Sequence, residues 1–257
     1  MARRTPTSRG VVLSHLEFDL LWEDHTGQRP PYPIEVPSHG TTAAERDELG
    51  EQVFAALEQA GLVAGDDIDP GLRELFDLLD RPVWSVDALV FGEKALRVLA
   101  ARKENQGLLA VLDDQEIFLE PIRDDELVAA MMSVVGDLPG GPGEPVRLPR
   151  EALSTAMDTY VRKGYDGFER ELAAVGITGR MVRAAATLVE SKRTCAGQLG
   201  ANGPGGRSPV LSWYDTSAGR YAVTVEDAGL ERLATLTPAN GAWMTRRLSA
   251  MLDQVAR

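Results

Sequence analysis

The chain has 257 residues, 44% of them hydrophobic and 26% charged, with a net charge of -12. This is the composition of a soluble globular protein, long enough for one large domain or two small ones. Lysine and arginine must neutralise phosphates in nucleic-acid binding, so the acidic balance argues against DNA, RNA or an anionic membrane surface as partner, and permits a basic one.

Residues 1–10, MARRTPTSRG, are basic and lead into no apolar run of the kind an export signal needs. They are expected to form a disordered tail. No segment approaches the roughly 20 apolar residues of a membrane span, so a cytoplasmic protein is expected. VVLSHLEFDLLWEDH then reads as a short strand followed by a helix. HTGQRPPYPIEVPSHG (His25–Gly40) is a proline-rich loop. His39 pairs with neither His15 nor His25 at metal-ligand spacing, and no cysteine cluster supports zinc, so a structural role is expected for it. Thr42–Glu45, TAAE, is a capping box that opens the next helix. That helix closes at VFAALEQAGL (Val53–Leu62), with glycine in its usual terminating place.

Asp66, Asp67 and Asp69 lack the glycine and terminal glutamate of a calcium loop. They read as a solvated helix entry with Asp69 as N-cap. Leu72, Leu75, Phe76 and Leu79 then mark one face of the helix Gly71–Asp80. A strand, the hairpin Val98–Val111, a further strand and a closing helix Asp124–Val135 follow. PGGPGEPV (Pro139–Val146) breaks the chain.

Beyond the break the same order returns. FERELAAVGI (Phe168–Ile177) repeats VFAALEQAGL at an offset of 115. VLSWYDTSAGRYAV (Val210–Val223) repeats VLAARKENQGLLAV (Val98–Val111) at an offset of 112, with Gly107 on Gly219. Val11, Leu13 and Phe18 fall on Val146, Leu148 and Leu153 at an offset of 135, the excess being the loop His25–Gly40. The hairpin match keeps apolar positions and discards the reactive groups, which points to a repeated structure and away from chemistry at Asp215 or Ser217. A third helix is expected over Gly179–Ser191, with Met181, Ala184, Ala185 and Leu188 inward. The closing helix Asn240–Val255 carries a core stripe of Met244, Leu248, Met251, Leu252 and Val255.

Cys195, the single cysteine, reads as a small buried hydrophobe in a reducing compartment. GANGPGGRS (Gly200–Ser208) runs into a strand where a phosphate loop needs a helix, and is rejected as one. No catalytic, cofactor or metal residues stand out. Short turns between strands argue for antiparallel pairing. The expectation is an α+β fold of two similar halves in pseudo-twofold arrangement, with a central, mostly antiparallel sheet and helical bundles. Residues 11–138 form the N-terminal half, 139–145 a linker and 146–257 the C-terminal half.

Four phrases in this order resemble the EspG family of type VII (ESX) secretion-associated proteins of actinobacteria. They are VVLSHLEFDLLWE, LPGGPGEPVRLPREAL, SWYDTSAGRYAV and TLTPANGAWMTRRLSAML. The resemblance spans about Val11 to Val255. It implies a cytosolic chaperone and no enzyme, one that binds a helical PE/PPE heterodimer and keeps its apolar tip soluble before export. It also implies binding through a sheet face, the loop between the second and third strands, and the C-terminal helical bundle. Here that loop is Gly92, Glu93, Lys94 and Ala95, shorter than is usual in the family, and the bundle lies within Leu148–Ser191. Trp213, Tyr214, Arg220 and Tyr221 are added as contact candidates, because aromatics and arginine are enriched in binding hot spots. The competing readings are a small-molecule enzyme or ligand sensor with a pocket between the halves, and a protein that self-associates, as a homodimer, through exposed sheet edges. A closed apolar pocket with a perturbed carboxylate would favour the first of these. An open apolar patch would favour the chaperone.

Overall fold

The computed structural model of the chain describes residues 3–4, 10–65 and 67–256. Two units are compact in themselves: residues 1–89, 94–131 and 202–204 form the first, and 90–93, 132–201 and 205–257 the second.

In the first unit, β1 (Arg3–Arg4) pairs with β2 (Val11–Ser14). The other residues of the expected tail, apart from Gly10, lie outside the described ones. Strand β2 alternates, burying Val11 and Leu13. Ser14 then starts α1 (His15–Thr26): its hydroxyl accepts from the Glu17 amide, and Glu17 accepts from the Ser14 amide at 2.7 Å. This reciprocal box satisfies two amide donors that helix geometry leaves open. Helix α2 (Ala43–Gln59) starts at Thr42, which accepts from the Glu45 amide at 3.2 Å. The Glu45 carboxylate reaches the Thr41 amide, one residue beyond the expected partner. His39 is structural: its amide donates to Asp19 at 2.8 Å, and Arg46 donates to the same carboxylate oxygen at 3.0 Å.

Strands β3 (Val63–Ala64) and β4 (Asp67–Ile68) form a small hairpin, and Asp69 caps α3 (Pro70–Asp80) by accepting from the Gly71 and Leu72 amides. Asp66 lies outside the described residues. Leu72, Leu75, Phe76 and Leu79 are buried, as their spacing predicts. Phe76 meets Trp22 of α1 at 5.4 Å between ring centroids, and Trp22 stacks on Phe18 at 5.6 Å. Side chains of this size each contribute about 1.5–3 kcal/mol on burial. The sheet adds β5 (Trp84–Phe91), β6 (Ala95–Lys103), β7 (Gln106–Leu112) and β8 (Glu116–Ile122), in the hydrogen-bonded order β1-β2-β8-β7-β6-β5. A 3-10 turn at Asp124–Glu126 leads into α4 (Leu127–Val135), whose last residues, from Met132, belong to the second unit.

The second unit repeats the plan. It contains β9 (Val146–Pro149), α5 (Arg150–Ala174), a 3-10 turn at Gly179–Met181 and α6 (Val182–Glu190). Then come β10 (Arg193–Gly203), β11 (Gly206–Arg207), β12 (Leu211–Thr216), β13 (Gly219–Ala228), β14 (Glu231–Pro238) and α7 (Gly241–Gln254). Strand order is β10-β12-β13-β14-β9, with β11 folding back on β10. GANGPGGRS is therefore a strand end and a turn. On α7 the stripe Met244, Leu248, Met251 and Val255 is buried, while Leu252 is half-buried. Met181 departs from its expected inward place and is exposed.

The repeat is visible in hydrogen bonds. The Leu62 amide donates to Leu57 at 2.9 Å, and 115 residues on the Ile177 amide donates to Leu172 at 3.0 Å. Both helices end in the same wrapped turn, with Gly61 and Gly176 at φ of 69 and 80 degrees. Both hairpins carry two-residue turns, closed by Lys103–Gln106 and by Thr216–Gly219. Superposed on those turns, the hairpins are 113 residues apart, one more than the apolar alignment suggests. Gly219 thus corresponds to Gln106, and Gly107 stands opposite Arg102. A one-residue slip exchanges the two faces of a strand, so apolar matching alone misplaced it where both faces are largely buried.

Candidate partner-binding surface

The residues singled out on β12 and β13 divide sharply. Arg220 is 1% exposed. Its guanidinium holds Asp215 through two bonds of 2.6 and 2.9 Å, and donates to the carbonyls of Val135 and Gly136 at 2.9 and 2.8 Å. It neutralises a carboxylate and covers the carbonyl end of α4, where a cation is favoured. Its own backbone fixes the expected linker, accepting from the Gly141 amide and donating to the Pro139 carbonyl. Tyr221 is buried beside it and donates to the Pro142 carbonyl at 2.9 Å. Burial, above all, raises its phenol pKa. A Cβ at Gly141 would lie 2.2 Å from that ring, which is why glycine stands there. Trp213 is fully buried, and its Nε1 meets no hydrogen-bond partner among the described residues. Trp213, Arg220 and Tyr221 therefore present no surface to a partner: their size and hydrogen-bonding capacity are spent inside the second unit. Tyr214 differs. It is half-buried, with the exposed Arg193 guanidinium 4.7 Å from its ring centroid. Cys195, opposite Asp215 in the β10–β12 register, is half-buried, and burial followed by that carboxylate raises its thiol pKa.

Gly92, Glu93, Lys94 and Ala95 are all exposed, on the tight turn from β5 to β6. Lys94 is held by Asp113 at 3.1 Å. Beside them Phe91 is 57% exposed, an aromatic that sequence reasoning passed over as a strand residue.

The bundle of the second unit carries further exposed hydrophobes. Inward, Leu153, Ala156, Phe168 and Leu172 of α5 pack with Val182, Ala185 and Leu188 of α6. A Cβ at Gly167 would meet Thr159 and Lys163 at 2.8 Å, so the side chain is absent where two segments touch. Outward stand Val161 (84% exposed), Tyr165, Val175 and Met181. Exposed hydrophobes are ordinary singly; four in one short bundle make it a candidate binding region. Helical spacing finds the inward face. The outward residues share no single phase: Val161 and Tyr165 flank Gly164, which breaks α5 at φ 69, ψ -162 degrees, and Val175 and Met181 lie beyond the helix.

Two carboxylates with displaced pKa values lie near the surface, Glu45 in the first turn of α2 and Asp113 between β7 and β8. Hydrogen bonds from Thr41 hold exposed Glu45 low. At Asp113, partial burial pushes upward, but the Gln115 and Glu116 amides and Lys94 together hold it low. Among the described residues no cluster of three or more His, Cys, Asp or Glu could hold a metal, and no single helix is long and apolar enough to cross a membrane.

These features define a duplicated α+β protein whose second helical bundle carries several exposed hydrophobes. The sequence model of the EspG family matches residues 14–250, and the chain belongs to that family. In structure it is similar to the Mycobacterium tuberculosis type VII secretion system chaperone EspG5, solved in complex with the PE25–PPE41 dimer. That likeness has a TM-score of 0.71 over 95% of this chain and 96% of the other, at 17% identity, and is one of fold. No curated protein matches the sequence.

Proposed function

We propose that this chain is a cytosolic chaperone of type VII secretion that binds a helical PE/PPE-like heterodimer before export and catalyses no reaction. Membership of the EspG family across residues 14–250 carries this reading. The physical logic agrees with it. An apolar helical tip self-associates unless covered, and Val161, Tyr165, Val175 and Met181 offer apolar cover. Phe91 with the turn Gly92–Ala95, and Tyr214 with Arg193, are the further contacts proposed. Release must follow binding, so affinity belongs in the micromolar range, about -8 kcal/mol.

The test is co-expression with PE/PPE pairs from the same genome, followed by gel filtration and calorimetry. One pair should co-elute at equal stoichiometry. Val161→Asp combined with Met181→Asp should weaken binding at least tenfold and lower the melting temperature by no more than about 4 °C, since Val161 is 84% and Met181 41% exposed. If no pair binds, and secretion of every pair is unchanged when the gene is deleted, the reading is wrong.

A further inference from the structure

The acidic charge is not spread along the chain. Residues 11–130 hold 26 Asp and Glu against 9 Lys and Arg, a net of -17, while residues 131–257 hold 13 against 15, a net of +2. Such a division of charge points to a charged partner on one side. Within the first unit there is a place where it meets an apolar surface. A groove of about 710 Å³ runs between α1 and α2. Leu20 and Phe54 form its floor, and both pack on the core of that unit. Gly50 leaves the α2 backbone bare at its centre, with open space where a side chain would stand.

Four carboxylates rim this floor: Glu23, Asp24, Asp47 and Glu51. The groove's cation, Arg46, is already engaged. It bonds Asp19 at 3.0 Å and the His39 carbonyl at 2.6 Å, and it pairs with Glu23. Asp24, Asp47 and Glu51 are exposed and make no ion pair among the described residues. An apolar floor beside three carboxylates that make no ion pair among the described residues suits one class of ligand: a cationic chain with an apolar side chain between its charges.

We propose that the groove between α1 and α2 docks a short Lys/Arg-rich segment of a partner protein, an apolar residue resting on Leu20 and Phe54 while its basic neighbours meet Asp24, Asp47 and Glu51. Each exposed ion pair contributes little alone. Together they steer the encounter and set its salt dependence, and the floor adds contact area. The site uses residues of the first unit only and does not depend on the bundle surface proposed for a PE/PPE pair.

The test uses the full chain and a fluorescein-labelled hexapeptide, KRLLRK, followed by anisotropy at low and at moderate salt. Two triple variants remove the same charge from exposed positions of the first unit: D24N/D47N/E51Q in the groove, and E104Q/D114N/D125N outside it. The groove triple should weaken binding at least fivefold and the other less than twofold. A peptide with serine in place of both leucines should bind at least threefold more weakly than KRLLRK. Equal losses in the two triples would reduce the effect to a diffuse field and overturn the site. So would an unchanged groove triple, a serine peptide that binds as well, or no peptide binding at low salt. None of these results bears on the bundle, so the chaperone reading stands or falls separately.

Discussion

Arg220 shows how a residue type misleads. Arginine flanked by tyrosine in a strand has the composition of a binding hot spot, and here it is an internal strut. Its two bonds to Asp215 and two to helix-end carbonyls satisfy four donors in a space closed to water. Arg220→Ala leaves Asp215 buried without a counter-charge and should cost about 3–5 kcal/mol. Urea unfolding followed by circular dichroism measures it. The double variant Arg220→Met with Asp215→Leu should cost clearly less than Arg220→Ala alone, because neither side of the pair is then left charged. A single variant as stable as the parent would show that water reaches the pair. Nothing local in the sequence distinguishes strut from hot spot. Alternation along a strand sorts residues onto two faces, and tertiary packing decides which faces are covered.

At the scale of elements, the two halves solve one problem differently. In the first, α1 and α2 are separated by residues 27–42, since His25 and Thr26 of the expected loop belong to α1. In the second, the corresponding helices run together as α5, and the change of direction falls on Gly164 alone. Its backbone, at φ 69 and ψ -162 degrees, lies in a region reserved almost wholly for glycine. A side chain there would meet no atom within 4 Å, so the penalty for adding one is torsional and not steric. Gly164→Ala should therefore cost about 1–3 kcal/mol, or straighten α5 and displace Val161 and Tyr165. Thermal unfolding reads the first outcome, and hydrogen exchange across 155–170 the second. An alanine variant with parental stability and exchange would show the break to be indifferent to the residue that makes it. The insertion and the helix-closing glycines were legible because proline, glycine and apolar spacing act locally. The hairpin register slipped by one because a strand buried on both faces has no polar face to betray its phase.

For the molecule as a whole, charge is the feature that composition averages away. A net of -17 over residues 11–130 opposes compaction through self-repulsion. Salt shortens the range of that repulsion, so raising sodium chloride from about 20 to about 300 mM should raise the melting temperature by about 2–4 °C, roughly 1 kcal/mol for a protein of this size. Differential scanning calorimetry checks it, and a fall with salt would mean that favourable pairs such as Arg46 with Asp19 outweigh the repulsion. By itself the sequence determined the α+β class, the duplication, the caps at Thr42 and Asp69, and the family, because periodicity, capping chemistry and motif order are properties of neighbours along the chain. Only the tertiary structure decided that Trp213, Arg220 and Tyr221 are internal, that Phe91, Val161 and Met181 are exposed, and that α1 and α2 flank an open groove whose Asp24, Asp47 and Glu51 make no ion pair among the described residues. Exposure is the difference between a residue's own surface and what distant segments cover, and that difference does not exist until the chain has folded.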